Sequence, residues 1–244
     1  MTRVSNPPNP RRKTTIPWCS VIIPTLNEAE NLGATLRRLK EQPSALTYEV
    51  IVSDGGSTDG TPDLARRLGA RVITGTRGRA RQMNAGARCA EGETFYFLHA
   101  DTLPPPDWLE LLSDGTNDLP GSFRLRFAGQ ERLPWLRWYS FFTRFDVDAF
   151  RFGDQSLWVT RRDFLAVGGF PDDWQLLEDN HMVRQLRRHR GGFRILPANV
   201  VTSPRKYQRY GFVYTQLVYT LLYSLYRLGT GQRRLGRIYR LLLE

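Results

Sequence analysis

His99 and Asp101 stand one residue apart at the end of the apolar run Thr94-Phe95-Tyr96-Phe97-Leu98, and Pro104-Pro105-Pro106 stops regular structure soon after. A carboxylate and an imidazole at this spacing can meet a divalent cation or a substrate hydroxyl. They can equally form a capped strand end, with Asp101 hydrogen-bonding its own turn. Three other polar clusters follow apolar segments: Thr25-Leu26-Asn27-Glu28, Asp54-Gly55-Gly56-Ser57-Thr58-Asp59 and Arg77-Gly78-Arg79-Ala80-Arg81-Gln82. The glycines after Asp54 let backbone approach a ligand closely, and Asp54 can accept hydrogen bonds from a base or ribose, or simply cap its turn. Arginines at 77, 79 and 81, near a helix start, offer forked donors to a diphosphate, or form a solvated helix face. Each cluster alone has its plain structural explanation; their convergence on one sheet edge is what points to a ligand site.

The elements that must position these clusters are legible as alternating strands and helices. Cys19 to Pro24 is a short apolar strand, and Asn27 is placed to cap the helix in which Leu32, Leu36 and Leu39 recur. Tyr48 to Asp54 is a second strand. Thr61-Pro62 supplies a cap and a first-turn proline for a helix ending near Gly69. Arg71 to Thr74 is a third strand, a basic helix runs from about Arg79 to Ala90, and the run from Thr94 is the fourth strand. This β-α-β-α-β-α-β order implies an α/β fold with a parallel sheet and right-handed crossovers, in which ligands bind beyond the carboxyl ends of the strands.

The second half is less regular. Gly121 to Phe127 alternates as a half-exposed strand, and Trp135, Trp138, Tyr139, Phe141, Phe142, Phe145, Phe150 and Phe152 are interleaved with arginines. A strand from Gln155 to Thr160, a helix from about Leu176 to His189 and a short strand from Phe193 to Leu196 complete the body. Residues 205–244 join tyrosines to arginines in an aromatic, basic helix. This helix either lies at a membrane headgroup boundary or packs on protein; its apolar run is too polar for a confident span.

Net charge is +11, yet residues 1–15 hold four basic and no acidic side chains, and residues 205–244 hold eight basic ones against Glu244, so the body between them is neutral. That argues against a nucleic-acid groove across the fold. Residues 1–15, rich in Pro and Arg and without an apolar core, read as a disordered arm rather than a secretory signal. Cys19 and Cys89 read as two separate reduced thiols, which fits a cytosolic location. The resulting organisation is an arm over 1–15, one catalytic domain over 16–204 and a helical segment over 205–244.

Taken in order, Ser20-Val21-Ile22-Ile23-Pro24-Thr25-Leu26-Asn27-Glu28, Asp54-Gly55-Gly56-Ser57-Thr58-Asp59-Gly60-Thr61, His99-Ala100-Asp101 and Glu178-Asp179 resemble the family 2 glycosyltransferases. Arg77 to Gly86 and Gly153-Asp154-Gln155 look like a bacterial subgroup of that family labelled arsenosugar-associated or carotenoid-type. The resemblance covers about residues 18–200. It implies a GT-A fold with a mainly parallel nucleotide-binding sheet, a nucleoside-diphosphate sugar donor, a hydroxyl acceptor of soluble or lipidic kind, Mg²⁺ or Mn²⁺, and inversion at the anomeric carbon, the activity being of hexosyltransferase type. Pro24, Thr25, Glu28 and Asp54 would contact the nucleoside, with Arg79, Arg81 and Gln82 also in the donor site. Asp101 would hold the metal against the diphosphate. Asp179 would be the general base with Glu178 beside it, and Asp154 and Gln155 would hold donor or acceptor hydroxyls. The family's usual Asp-x-Asp is replaced here by His99-x-Asp101; His99 suits Mn²⁺ better than Mg²⁺, and ribose contact or strand-end packing are its other roles.

Two rival functions have sequence tests. A sugar-phosphate nucleotidyltransferase needs a glycine-rich phosphate loop after the first strand, and Pro24-Thr25-Leu26-Asn27 is not one. A non-enzymatic basic module for lipid or nucleic acid would carry charge across its body, whereas here the body is neutral.

Overall fold

The computed structural model describes residues 16–41, 44–115, 119–145 and 156–243. The expectations for residues 1–15 and for Asp154 and Gln155 lie outside the described residues. The first strands form where the apolar runs predict: β1 (Cys19–Thr25), β2 (Tyr48–Asp54), β3 (Arg71–Thr74) and β4 (Thr94–Phe97). Between them lie α1 (Ala29–Lys40), α2 (Thr61–Arg67) and α3 (Arg79–Cys89). The chain continues through β5 (Thr102–Leu103), α4 (Trp108–Gly115), β6 (Gly121–Phe127), α5 (Pro134–Phe142), β7 (Leu157–Thr160), α6 (Arg161–Ala166), α7 (Glu178–Arg190) and β8 (Arg194–Thr202). It ends in α8 (Arg205–Tyr210), α9 (Phe212–Arg227) and α10 (Gln232–Leu243).

One sheet has the order β3-β2-β1-β4-β7-β6-β8-β5. The β3-β2-β1-β4 half is parallel throughout, β7 runs antiparallel to both β4 and β6, β8 is parallel to β6, and β5 is antiparallel to β8. Successive strand residues face opposite sides, so each strand feeds two cores. Val21, Ile23, Val52 and Tyr96 pack with Leu32, Leu36, Trp108 and Tyr139 on one side. Ile22, Ile51, Phe95 and Phe97 pack with Met83, Phe164, Met182 and Leu186 on the other. The four residues of β4 are all buried, as its unbroken apolar character requires. Close packing also shows at Gly86, where a β-carbon would collide with Ile22 of β1, so α3 lies directly on that strand.

Four local expectations are corrected. Asn27 does not cap α1; its carboxamide oxygen accepts the Thr58 N–H at 2.9 Å, and its backbone is left-handed at φ 54°. The first turn of α1 is met from the neighbouring loop instead, by Asp59 accepting from the Ala29 N–H at 3.0 Å. Thr61 is the first residue of α2 rather than its cap, and Asp59 accepts from its N–H and hydroxyl. The strand expected at Phe193–Leu196 runs on to Thr202 because β6 supplies a parallel partner along its length. The single C-terminal helix is three helices, broken at Gly211 and at Gly229, both with positive φ.

Those helices pack on the body. Tyr207 is buried against Phe127 and Phe212 at ring distances of 5.2 and 5.8 Å. Val218, Leu222, Leu235 and Leu243 form a third core. Among the described residues, no helix is long and apolar enough to cross a membrane. Cys19 and Cys89 are both free thiols.

Candidate active site

The carboxyl ends of β1 and β4, the start of α3, the start of α7 and the C-terminal helices enclose an open cavity of about 420 Å³. Pro24, Thr25, Glu28, Arg79, Gln82, His99, Asp101, Glu178 and Asp179 all line it, so most of the residues singled out by type do meet in one place. Arg77 lines it as well. Asp54 and Arg81 are not in its wall.

The β1 and β2 loops hold each other by short polar contacts. The Asn27 N–H donates to Ser57 Oγ at 2.8 Å and the Glu28 N–H to Thr61 Oγ1 at 2.9 Å. Asp54 is 1% exposed and anchors the arrangement. It accepts from the Gly56 and Ser57 N–H groups at 2.9 and 2.8 Å, from Ser57 Oγ at 2.5 Å and from Thr25 Oγ1 at 3.0 Å. Burial pushes its carboxyl up, but these hydrogen bonds, led by those from Ser57, together hold it below the usual carboxylate range. In this structure the carboxylate therefore anchors its loop at the end of β2. Gln82 behaves similarly: its amide nitrogen donates to the carbonyls of Thr25 and Ser53, both at 2.7 Å, tying α3 to the ends of β1 and β2.

The arginines divide. Arg79 reaches across to Glu178 at 3.3 Å, whereas Arg81 turns away and donates to the Asp172 carbonyl at 3.0 Å. Glu178 is 2% exposed and faces Arg79, while its neighbour Asp179 is only partly buried. Adjacent helical positions diverge by about 100°, so the two carboxylates at the N-terminus of α7 point in different directions, and Asp179 keeps its Oδ2 buried. The preceding Leu177 has φ 61°. Asn27 and Leu177 are the non-glycine residues with positive φ among the described residues; Leu177 lines the cavity, and Asn27 lies between the lining residues Leu26 and Glu28. Such backbone costs of order 1 kcal/mol or more and gathers at ligand sites.

Sequence types did not disclose the far wall. Arg205, at the start of α8, donates to Asp101 at 2.8 Å and to both Glu28 oxygens at 3.4 Å. Burial works against its charge, yet the hydrogen bond to Asp101 and the nearby Glu28 hold the guanidinium above its ordinary value. Lys206 hydrogen-bonds the Tyr239 hydroxyl, and both line the cavity with Tyr219 and Leu222. The signal in the sequence was the alternation of tyrosines and basic residues after 205. What it lacked was the partner. His99 is half-buried; burial foremost, then Arg79 and Lys206, push its imidazole down to about 3 despite Asp101, so the ring is neutral near pH 7.

A metal fits this donor set in one way. Among the described residues no group of three or more His, Cys, Asp or Glu side chains could hold one. Asp101 and Glu28, however, already converge on a cationic side chain, and a hard divalent ion is commonly held by one or two carboxylates with substrate phosphates and water completing its shell.

Comparison with known proteins identifies the family and the fold. The chain is 30% identical over 210 residues to validoxylamine A glucosyltransferase of Streptomyces hygroscopicus subsp. jinggangensis, covering 65% of this chain and 48% of that protein. It is 32% identical over 128 residues to dolichol-phosphate mannosyltransferase of Pyrococcus furiosus, covering 48% of this chain and 36% of that protein. The chain thus spans less than half the length of either relative. In fold it is similar to the mannosyltransferase PcManGT from Pyrobaculum calidifontis, solved in complex with GDP-Man and Mn²⁺, with a TM-score of 0.64 at 23% identity over 93% of this chain and 70% of that one. The sheet with its flanking helices is that of the GT-A glycosyltransferase structures. The profile of Glycosyl transferase family 2 matches residues 20–156, more than half of the sequence, and the chain belongs to that family.

Proposed function

We propose that the protein transfers a hexosyl group from a nucleoside-diphosphate sugar to a hydroxyl acceptor, with inversion at the anomeric carbon. The observation that carries this reading is the meeting of Asp101, Asp179, Arg205 and Lys206 in one cavity beyond β1 and β4. Pro24, Thr25 and Glu28 form the nucleoside side, over a floor anchored by Asp54 and Gln82. Arg77, Lys206 and Arg205, once it leaves Asp101, face the diphosphate, whose negative charge grows as the bond to the sugar breaks. Mg²⁺ or Mn²⁺ held by Asp101 would supply further charge stabilisation on the diphosphate.

Asp179 takes the acceptor's proton as its oxygen attacks, because a neutral hydroxyl is a poor nucleophile near pH 7. The N-terminus of α7 favours its ionised form. Glu178 supports the site by holding Arg79. The complex of the similar PcManGT with GDP-Man and Mn²⁺ supports a nucleotide-sugar donor and a divalent ion here by analogy. Within the family, Arg77 to Gly86 supports the subgroup labelled arsenosugar-associated or carotenoid-type, and the tyrosine- and arginine-rich C-terminal helices support an acceptor presented at the inner membrane surface.

The test is donor binding, read as thermal shift across a panel of nucleotide sugars with and without Mn²⁺. The wild-type protein should be stabilised by one nucleotide class in a metal-dependent way. Asp101→Ala should abolish that dependence while its unliganded melting temperature stays close to wild type, and donor affinity unchanged in Asp101→Ala would refute the assignment.

A further inference from the structure

Helix α5 carries a face that the fold does not use. Leu136, Tyr139 and Thr143 turn inward onto the β6 side of the sheet, where Thr143 Oγ1 accepts the Leu125 N–H at 3.1 Å. Trp135, Trp138, Phe141 and Phe145 point the other way and are between 46 and 62% exposed. Spaced by three or four residues, they form one stripe. The stripe is ordered by its own contacts: Trp138 meets Phe142 edge-on at 4.5 Å, Phe141 meets Phe145 at 5.8 Å, and the Arg144 guanidinium lies 3.9 Å over the Phe141 ring. From Leu133 to Phe145 the charges are Arg137 and Arg144, both exposed, with no carboxylate.

Helix α9 has a similar outer face. Val213, Leu217 and Leu221 recur every fourth residue and are between 46 and 69% exposed, and Phe212 to Tyr226 contains no charged side chain. The two helices are rooted beside each other, since the Phe127 ring touches both Tyr139 of α5 and Tyr207, which stacks on Phe212 of α9. Apolar faces of this kind on a folded protein mark an interaction surface. Charge identifies the occupant. Ser203 to Leu243 contains eight basic residues and no acidic one, and α5 repeats that one-sided sign. Tryptophan and arginine together suit a boundary that is apolar on one side and anionic on the other.

We propose that the outer faces of α5 and α9 seat the protein on an anionic bilayer, with the rings of Trp135, Trp138, Phe141 and Phe145 entering the headgroup boundary and Arg137 and Arg144 at the level of the phosphates. This rests on the membrane-surface part of the proposed function and adds α5 to the C-terminal helices as the contact. The apolar face sets the depth of insertion, and the arginines favour acidic lipid over neutral lipid.

The experiment is co-sedimentation of the full chain with vesicles of phosphatidylcholine, alone or mixed with phosphatidylglycerol. The wild-type protein should bind the mixed vesicles and release in high salt. Trp135→Ser/Trp138→Ser/Phe141→Ser should lower the partition coefficient at least about tenfold, given the apolar area removed, while melting temperature and donor-induced thermal shift stay at wild-type values. If the triple variant does not fold, brominated lipid added to wild-type protein decides: quenching of tryptophan emission supports the seating, and its absence overturns it. Absence of vesicle binding, or binding untouched by the triple variant, also overturns it. So does a dimer in light scattering that the triple variant dissociates, since the face then belongs to a second copy. Loss of donor binding with vesicle binding intact would count against the proposed function and leave this inference standing.

Discussion

The two walls of the cavity are built on different principles. On the β1–β2 side, Asp54, Ser57, Asp59 and Thr61 form a mesh of short bonds to backbone N–H groups. On the α7–α10 side, Arg205, Lys206 and Tyr239 reach the cavity on long side chains anchored at their far ends by other side chains. The first wall is preorganised; the second can rearrange by rotating side chains without moving a helix. On the proposed reading, the wall that receives the nucleoside is rigid, and the wall that meets diphosphate and acceptor is adjustable.

Substitutions can break that contrast. The largest effect is expected at Asp179 on the adjustable side. Asp179→Asn should lower kcat at saturating donor by about 10² to 10⁴ with donor affinity near wild type, whereas Glu178→Gln should cost less. Turnover by Asp179→Asn near wild type, or a greater loss in Glu178→Gln, would move the base elsewhere. On the rigid side, Asp54→Ala leaves the Gly56 and Ser57 N–H groups without their acceptor, and chemical denaturation should show a loss of about 2 to 3 kcal/mol. A smaller loss would mean that the mesh tolerates gaps and that the walls differ less than their bonding indicates.

Arg205→Met comes next. Removing one charge-assisted contact from the ligand should raise the donor KM by about tenfold in steady-state assays. Stability should change by less than about 1 kcal/mol, because the pair with Asp101 is partly solvated. Lys206→Ala is the mildest: its melting temperature should match wild type, and any defect should be confined to substrate affinity. A cooperative loss of stability in Lys206→Ala would show that the second wall is as tightly tied as the first.

The same division explains what could be read in advance. Strands β1, β2 and β4 are buried, largely apolar runs and β3 is a short, partly exposed edge strand rich in β-branched residues, so type and spacing define them, and the clusters that follow them are local in sequence. Partners are another matter. Gln82 and Asp54 are residue types that a ligand could use, and they also bind the carbonyls of Thr25 and Ser53 and the amides of Gly56 and Ser57, contacts that only the three-dimensional structure discloses. Arg205 meets Asp101 across a separation of 104 residues, a contact with no periodic trace. The tail's aromatic and basic composition was legible, but its division at Gly211 and Gly229 and its return over the cavity depend on packing around Leu222 and Leu235.

The missing side chain at Gly86 acts as a length gauge. With no β-carbon to hold it off Ile22, α3 lies against β1, and Gln82, four residues earlier on the same helix, then reaches the carbonyls of Thr25 and Ser53. The opening between Thr25 and the first turn of α3 is thereby set by a dimension smaller than a methyl group. Widening it with Gly86→Ala would alter the aperture itself while leaving every polar group in the cavity chemically intact.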